Sequence, residues 1–247
     1  MRHVIFLDKK IDKQEFETWK TEDTAFWHKL IGITPTYWTI DYDFSTYPVE
    51  PDWEGDAMPT SQFLKELTDE VYTKYSADGT DFIMLLVHQD NWQSSGTLYN
   101  KFLELHNIPK RKGIWGNNQS NKYRNYHVQY CRWDKKNPAN NFGTMYHERH
   151  HALDALIATE TGFNVNNLFT VKWDKITHGE APWTYIRYKE NTDSIIKIAP
   201  YLKEALKKRE ERHIAYIRGK QLTIISLLEK VVYLWRLKLN KKDGVNR

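Results

Sequence analysis

Phe82-Ile83-Met84-Leu85-Leu86-Val87 is the longest purely apolar run in a chain of 247 residues. It has the length of a strand, and a run without polar alternation suits a strand buried on both faces, so it is expected at the centre of a sheet. It falls far short of the roughly 18 apolar residues that suggest a bilayer span. No transmembrane segment is expected. Working outward, His3–Leu7 reads as a short strand, Lys13–Leu30 as a polar and aromatic helix, and 36–44 alternates β-branched and aromatic residues with polar ones as a half-buried strand does. Residues 126–133 alternate in the same way and read as a strand near a sheet edge. Between these, the Pro- and acid-rich stretch 47–60 reads as an exposed loop. Ser61 is placed to cap a helix in which Phe63, Leu64, Leu67 and Val71 recur at helical spacing. Residues 97–106 read as a short helix, and the Gly-, Asn- and Arg-containing segment 110–125 as irregular.

Composition supports a folded chain: 40% of residues are hydrophobic, 28% are charged, and Gly (11) and Pro (8) are sparse. The one cysteine, Cys131, excludes an internal disulfide framework and any Cys-based zinc finger, so a metal would have to use His and carboxylates. The first eight residues offer too few apolar positions for a secretory signal, which gives a cytoplasmic expectation. The net charge of +4 hides a gradient: residues 1–90 hold 8 Lys or Arg against 18 Asp or Glu, whereas residues 197–247 hold 14 against 5. Opposite fields at the two ends predict different partners, or each other.

Gly143-Thr144-Met145-Tyr146-His147-Glu148-Arg149-His150-His151-Ala152-Leu153-Asp154 carries the chemistry. Thr144 stands where an N-cap would open a helix running to Gly162. Within that helix His147 and His151 fit the spacing H-E-x-x-H. Residues four apart lie one above the other on a helix, so two imidazoles can point at one ion with Zn–N bonds of about 2.0–2.1 Å. Imidazole favours one zinc ion over magnesium or calcium. Glu148 is splayed from that face yet close enough to serve as general base, accepting a proton from water activated for attack on an amide carbonyl. Arg149 and His150 are expected on the solvated side of the helix.

The order strand, helix, strand, irregular segment, edge strand, H-E-x-x-H helix resembles the motif-bearing N-terminal subdomain of the zincin metallopeptidases over residues 36–162. The extension His147-Glu148-x-x-His151-x-x-Asp154 is similar to that of lethal-factor-like zincins. The resemblance implies an α+β zincin-like domain over residues 1–193, with a small mixed twisted sheet and an active-site helix. It implies that His147 and His151 are zinc ligands, that Glu148 is the catalytic base, and that Asp154 supports the site from outside by hydrogen-bonding an imidazole. Two departures stand out: His150 occupies the position before the second His where those families carry a small residue, and the metzincin extension fails at Asp154 and Ile157.

A further protein ligand is expected downstream, with His178 and Glu180 as the leading pair and Glu190 or Asp154 as alternatives. Glu160 lies too far along the helix. The substrate implied is a peptide or protein, and peptidoglycan cross-links present the same amide carbonyl. The rival from another class is a non-catalytic zincin-like binding or assembly protein, such as a viral structural component.

Residues 194–247 form a basic C-terminal extension that reads as a helix hairpin, its second helix carrying Leu222, Ile225, Leu228, Val232, Trp235 and Leu239 on one stripe. That stripe suits docking onto a second copy or a larger assembly. Clustered Lys and Arg also attract nucleic acid or anionic lipid, although a solvated charged face is the preferred reading, and nucleic acid is not expected as a partner.

Overall fold

A computed structural model of the chain describes residues 1–51, 57–75, 80–92, 116–121, 126–134, 138–168 and 196–243. Strand β1 (Arg2–Asp8) is followed by helix α1 (Lys13–Ile31) and strand β2 (Thr36–Tyr42). Two short strands, β3 (Val49–Pro51) and β4 (Ala57–Pro59), precede helix α2 (Ser61–Tyr75). Then come β5 (Thr80–His88), β6 (Gly116–Asn121), β7 (Tyr126–Trp133), the motif helix (Pro138–Thr161), a 3-10 turn (Val165–Leu168) and the C-terminal helix (Ala199–Asp243).

Five strands form one sheet in the order β2-β1-β5-β7-β6. The first four are mutually parallel, and β6 closes the edge antiparallel to β7. The mixed content of helix and strand agrees with the expected class. The apolar run of β5 is central as expected, and its side chains alternate between two helical layers. Ile83, Leu85 and Val87 join Val4, Phe6, Val128 and Tyr130 beneath α2, whose Phe63, Leu64, Leu67 and Val71 complete that cluster. Phe82, Met84 and Leu86 face the other way, onto α1 and the motif helix. A strand read as continuously apolar is therefore one with a hydrophobic layer on each side.

Helix α1 begins at Asp12, whose carboxylate accepts the amides of Gln14 and Glu15, and ends at Gly32, whose φ of 73° is the left-handed conformation that closes a helix. Its buried face, Phe16, Trp19, Asp23, Phe26, Trp27, Leu30 and Ile31, follows the helical repeat with one acid in its middle.

Several local expectations are corrected. Residues 47–60 are not simply an exposed loop. The described part forms the β3–β4 ladder, Tyr47 is buried in the layer beneath α2, and Met58 is buried as well. The α2 N-terminus is capped by Thr60, whose hydroxyl accepts the Phe63 amide at 3.2 Å, while Ser61 donates to Glu50. Strand β7 is internal, and the edge is β6 (GNNQSN), drawn from a segment read as irregular. The motif helix starts at Pro138, six residues before Thr144, which is buried inside it; proline tolerates a first helical turn because its missing N–H would have had no partner there. The short helix expected at 97–106 lies outside the described residues.

The tail is not a hairpin. Ala199–Asp243 is one helix of 45 residues, and the lone Gly219 inside it does not break it. The chain divides into two compact units, Met1–Leu206 and Lys207–Arg247, which meet within this helix. The first turns belong to the larger unit, where Leu202 and Ala205 are buried in the same cluster as Leu153, Leu156 and Ile157. Among the described residues no helix is long and apolar enough to cross a membrane.

Candidate metal centre on the motif helix

The motif helix packs one face against the sheet and α1. Tyr146, Ala152, Leu153, Leu156 and Ile157 are all buried in the cluster that includes Phe26, Trp27 and Phe82, and Met145 is buried against β5 and β7. Gln129 on β7 donates to the Met145 carbonyl at 3.3 Å, tying the helix to the sheet. At the far end Gly162 takes φ 72° and its amide returns to the Ala158 carbonyl, the stop expected from the sequence.

At about 100° per residue, Arg149 lies roughly 200° around the helix from His147, while His151 lies about 40° from it. Packing Arg149 at the centre of the buried face therefore turns both ligand candidates outward, and both are only partly buried. Their Nε2 atoms stand 3.3 Å apart, with the rings 4.9 Å between centroids at 82°. Two nitrogens bound at about 2.0–2.1 Å to one tetrahedral ion lie about 3.3–3.4 Å from each other. The donor atoms are thus spaced as one zinc ion needs them. The same gap admits an N–H···N bond between neutral rings.

Glu148 is 5% exposed, and burial raises its carboxyl from 4.5 to about 8. It faces β7 closely enough for its charge to raise the Cys131 thiol, after the larger effect of burial. Asp154 follows on the ligand face, half-buried, its carboxyl raised by loss of water. Glu160 lies beyond, partly buried.

Arg149 and His150 are not solvated. Both are fully buried, because most of the helix circumference is enclosed. His150 is pushed down to about 3 by burial, with the neighbouring His147, His151 and Arg149 adding to it, so its ring is neutral near pH 7. Arg149 keeps its charge. Burial works against it, but the Asp23 carboxylate on α1, with Tyr146 and Tyr37 behind it, holds the guanidinium above its ordinary value. Asp23 and Arg149 form an ion pair, and the Tyr37 hydroxyl donates to the second Asp23 oxygen at 2.7 Å. The guanidinium carbon lies 5.1 Å from the Trp27 ring and 5.8 Å from Tyr146. This pair fixes the rotation of the motif helix, and the motif alone did not reveal it. The signal was present in α1: an acid inside an apolar helical stripe requires a buried cation.

His178, Glu180 and Glu190 lie outside the described residues. Among the described residues no group of three or more His, Cys, Asp or Glu converges as a metal site, while His147 and His151 are brought together as a pair. In comparisons with known proteins, no family model, no curated protein and no solved structure matches this chain.

Proposed function

We propose that the protein is a zinc-dependent hydrolase of peptide bonds, with His147 and His151 as two of the protein ligands and Glu148 as the proton acceptor. The observation that carries this reading is the 3.3 Å separation of the two Nε2 atoms on the outward face of a helix whose opposite face is locked into the core. A mixed sheet with one antiparallel edge strand preceding the motif helix also accords with the zincin resemblance. Zinc bound there would supply Lewis acidity that acidifies water and polarises an amide carbonyl.

The chain's own residues then have distinct tasks. The imidazoles are positioned by the helical repeat alone, so little ordering cost is left for binding. Glu148, whose carboxyl is raised by burial in the metal-free chain and would be drawn down again by a neighbouring cation, is proposed to take the proton of the attacking water and return it to the leaving amine. Asp154, further along the ligand face, is proposed to steady an imidazole from outside. Of the downstream donors, His178 and Glu180 are the proposed source of the remaining ligand, with Glu190 as the next candidate. Peptides and proteins are the proposed substrates.

The test compares wild type with Glu148→Gln on a broad peptide library, with zinc content measured by mass spectrometry. The expected result is one zinc per chain in both proteins and cleavage only by wild type. Equal cleavage removes Glu148 as the base, and a wild-type chain that refuses zinc removes the reading altogether.

A further inference from the structure

We propose that residues 212–242 of the C-terminal helix lie along an anionic lipid surface, with the helix axis in the plane of the interface. The proposal does not rest on the zinc reading. Between Thr223 and Val232 every residue sorts by face. Ile224, Ile225, Leu227, Leu228, Val231 and Val232 occupy an arc of about 160° at 100° per residue, and Thr223, Ser226, Glu229 and Lys230 fill the other side. The six aliphatic side chains are 46–62% exposed, and Ile214, five turns before Val232 and in line with it along the axis at about 100° per residue, is exposed at 41%. A stripe of large aliphatic side chains this broad and this open requires a cover.

Charge decides what the cover is. Residues 212–242 hold eight Lys or Arg and a single acid, Glu229. A second copy of residues 212–242 would bring the same cations against themselves, with only Glu229 to pair beside the seam, and an arc of about 160° is wider than the narrow seam of a two-stranded coiled coil. An anionic lipid surface complements both features: the acyl boundary takes the aliphatic arc of 224–232 and the headgroups take the cations, including Lys220, Lys238 and Lys242, which fall at the angle of the arc and whose long stems let the ammonium reach the headgroup level. Crossing the bilayer is excluded for this segment by Glu229, Lys230, Arg236 and Lys238, which interrupt its most apolar stretch.

The experiment is co-sedimentation of the full-length protein with phosphatidylcholine vesicles, with and without phosphatidylserine. Binding is expected to the anionic vesicles, to weaken as salt is raised, and to be far weaker on phosphatidylcholine alone. Each cation near such a surface contributes about a fivefold change in partitioning, so Arg218→Gln combined with Lys230→Gln should lower binding roughly 25-fold. Leu228→Asp combined with Val231→Asp should abolish it, and because both positions are exposed the rest of the fold is not at stake. The proposal is overturned if anionic vesicles are not bound, if both vesicle types bind equally, or if the Asp pair binds as wild type does. It is equally overturned if light scattering finds a stable oligomer that ignores vesicles and is dissolved by the Asp pair, because the cover would then be a second copy.

Discussion

Removing the Asp23 carboxylate by Asp23→Ala would leave the Arg149 guanidinium charged, without a counter-ion and without water. Both side chains are fully buried, so breaking the pair from one side should cost about 3–5 kcal/mol. The Tyr37 hydroxyl would lose its acceptor at the same time, adding about 1 kcal/mol. The surrounding rings of Phe26, Trp27, Phe82 and Tyr146, all within 6.0 Å of the guanidinium carbon, soften the loss by about 1 kcal/mol. A net cost of about 3–5 kcal/mol is about a fifth or more of a typical domain's stability of about 5–15 kcal/mol. At a urea slope of about 2 kcal/mol per molar, the unfolding midpoint should fall by about 1.5–2.5 M. The informative partner is Asp23→Leu with Arg149→Met. Replacing both charges by apolar side chains of similar volume removes the uncompensated charge, so stability should return to within about 1–2 kcal/mol of wild type. Zinc binding should survive, because His147 and His151 occupy the opposite face. A loss below 1 kcal/mol in Asp23→Ala, or a double variant as unstable as the single one, would refute the buried pair as the element that orients the motif helix.

Three further outcomes can be measured. His147→Ala or His151→Ala should weaken zinc by more than the 10–100-fold typical of losing an outer partner, read by competition with a chelator; unchanged affinity removes the pair as ligands. In the zinc-free protein Glu148 holds its proton up to about pH 8 when folded but only to about 4.5 when unfolded, so its contribution to stability is full below pH 4.5 and declines as pH rises to about 8, by up to about 5 kcal/mol. The difference between wild type and Glu148→Gln in urea melts should follow that window, and a difference independent of pH would contradict it. Cys131 is fully buried and its thiol is raised by burial, with Glu148 adding to it. It should therefore resist a thiol reagent in the native protein and react on unfolding, whereas immediate stoichiometric labelling would place it at the surface.

What the sequence disclosed and what it concealed divide along physical lines. β5, α1 and α2 were legible because burial imposes a period on the chain: continuous for a strand between two layers, near 3.6 for a helix on one. The His147–His151 pair was legible for the same geometric reason. β6 was not, since GNNQSN contains no β-branched or aromatic residue and becomes a strand only by pairing with β7. The start of the motif helix was missed because Thr144 resembles a cap, while Pro138 opens the first turn. Arg149 was misplaced because a lone guanidinium ordinarily seeks water, and only Asp23, 126 residues away in sequence, reverses that preference. The C-terminal segment suggests two helices because a single helix of 45 residues lies far out in the distribution of lengths.

The separation between Asp23 and Arg149 also bears on how the chain is made. β1 cannot join the centre of the sheet until β5 has left the ribosome, and β5 gains its other neighbour only with β7. At about 5–20 residues per second, Asp23 waits roughly 6–25 s for its counter-charge to be synthesised. Over that interval the Asp23 carboxylate has no counter-charge with which to be buried, and burying it alone would cost several kcal/mol.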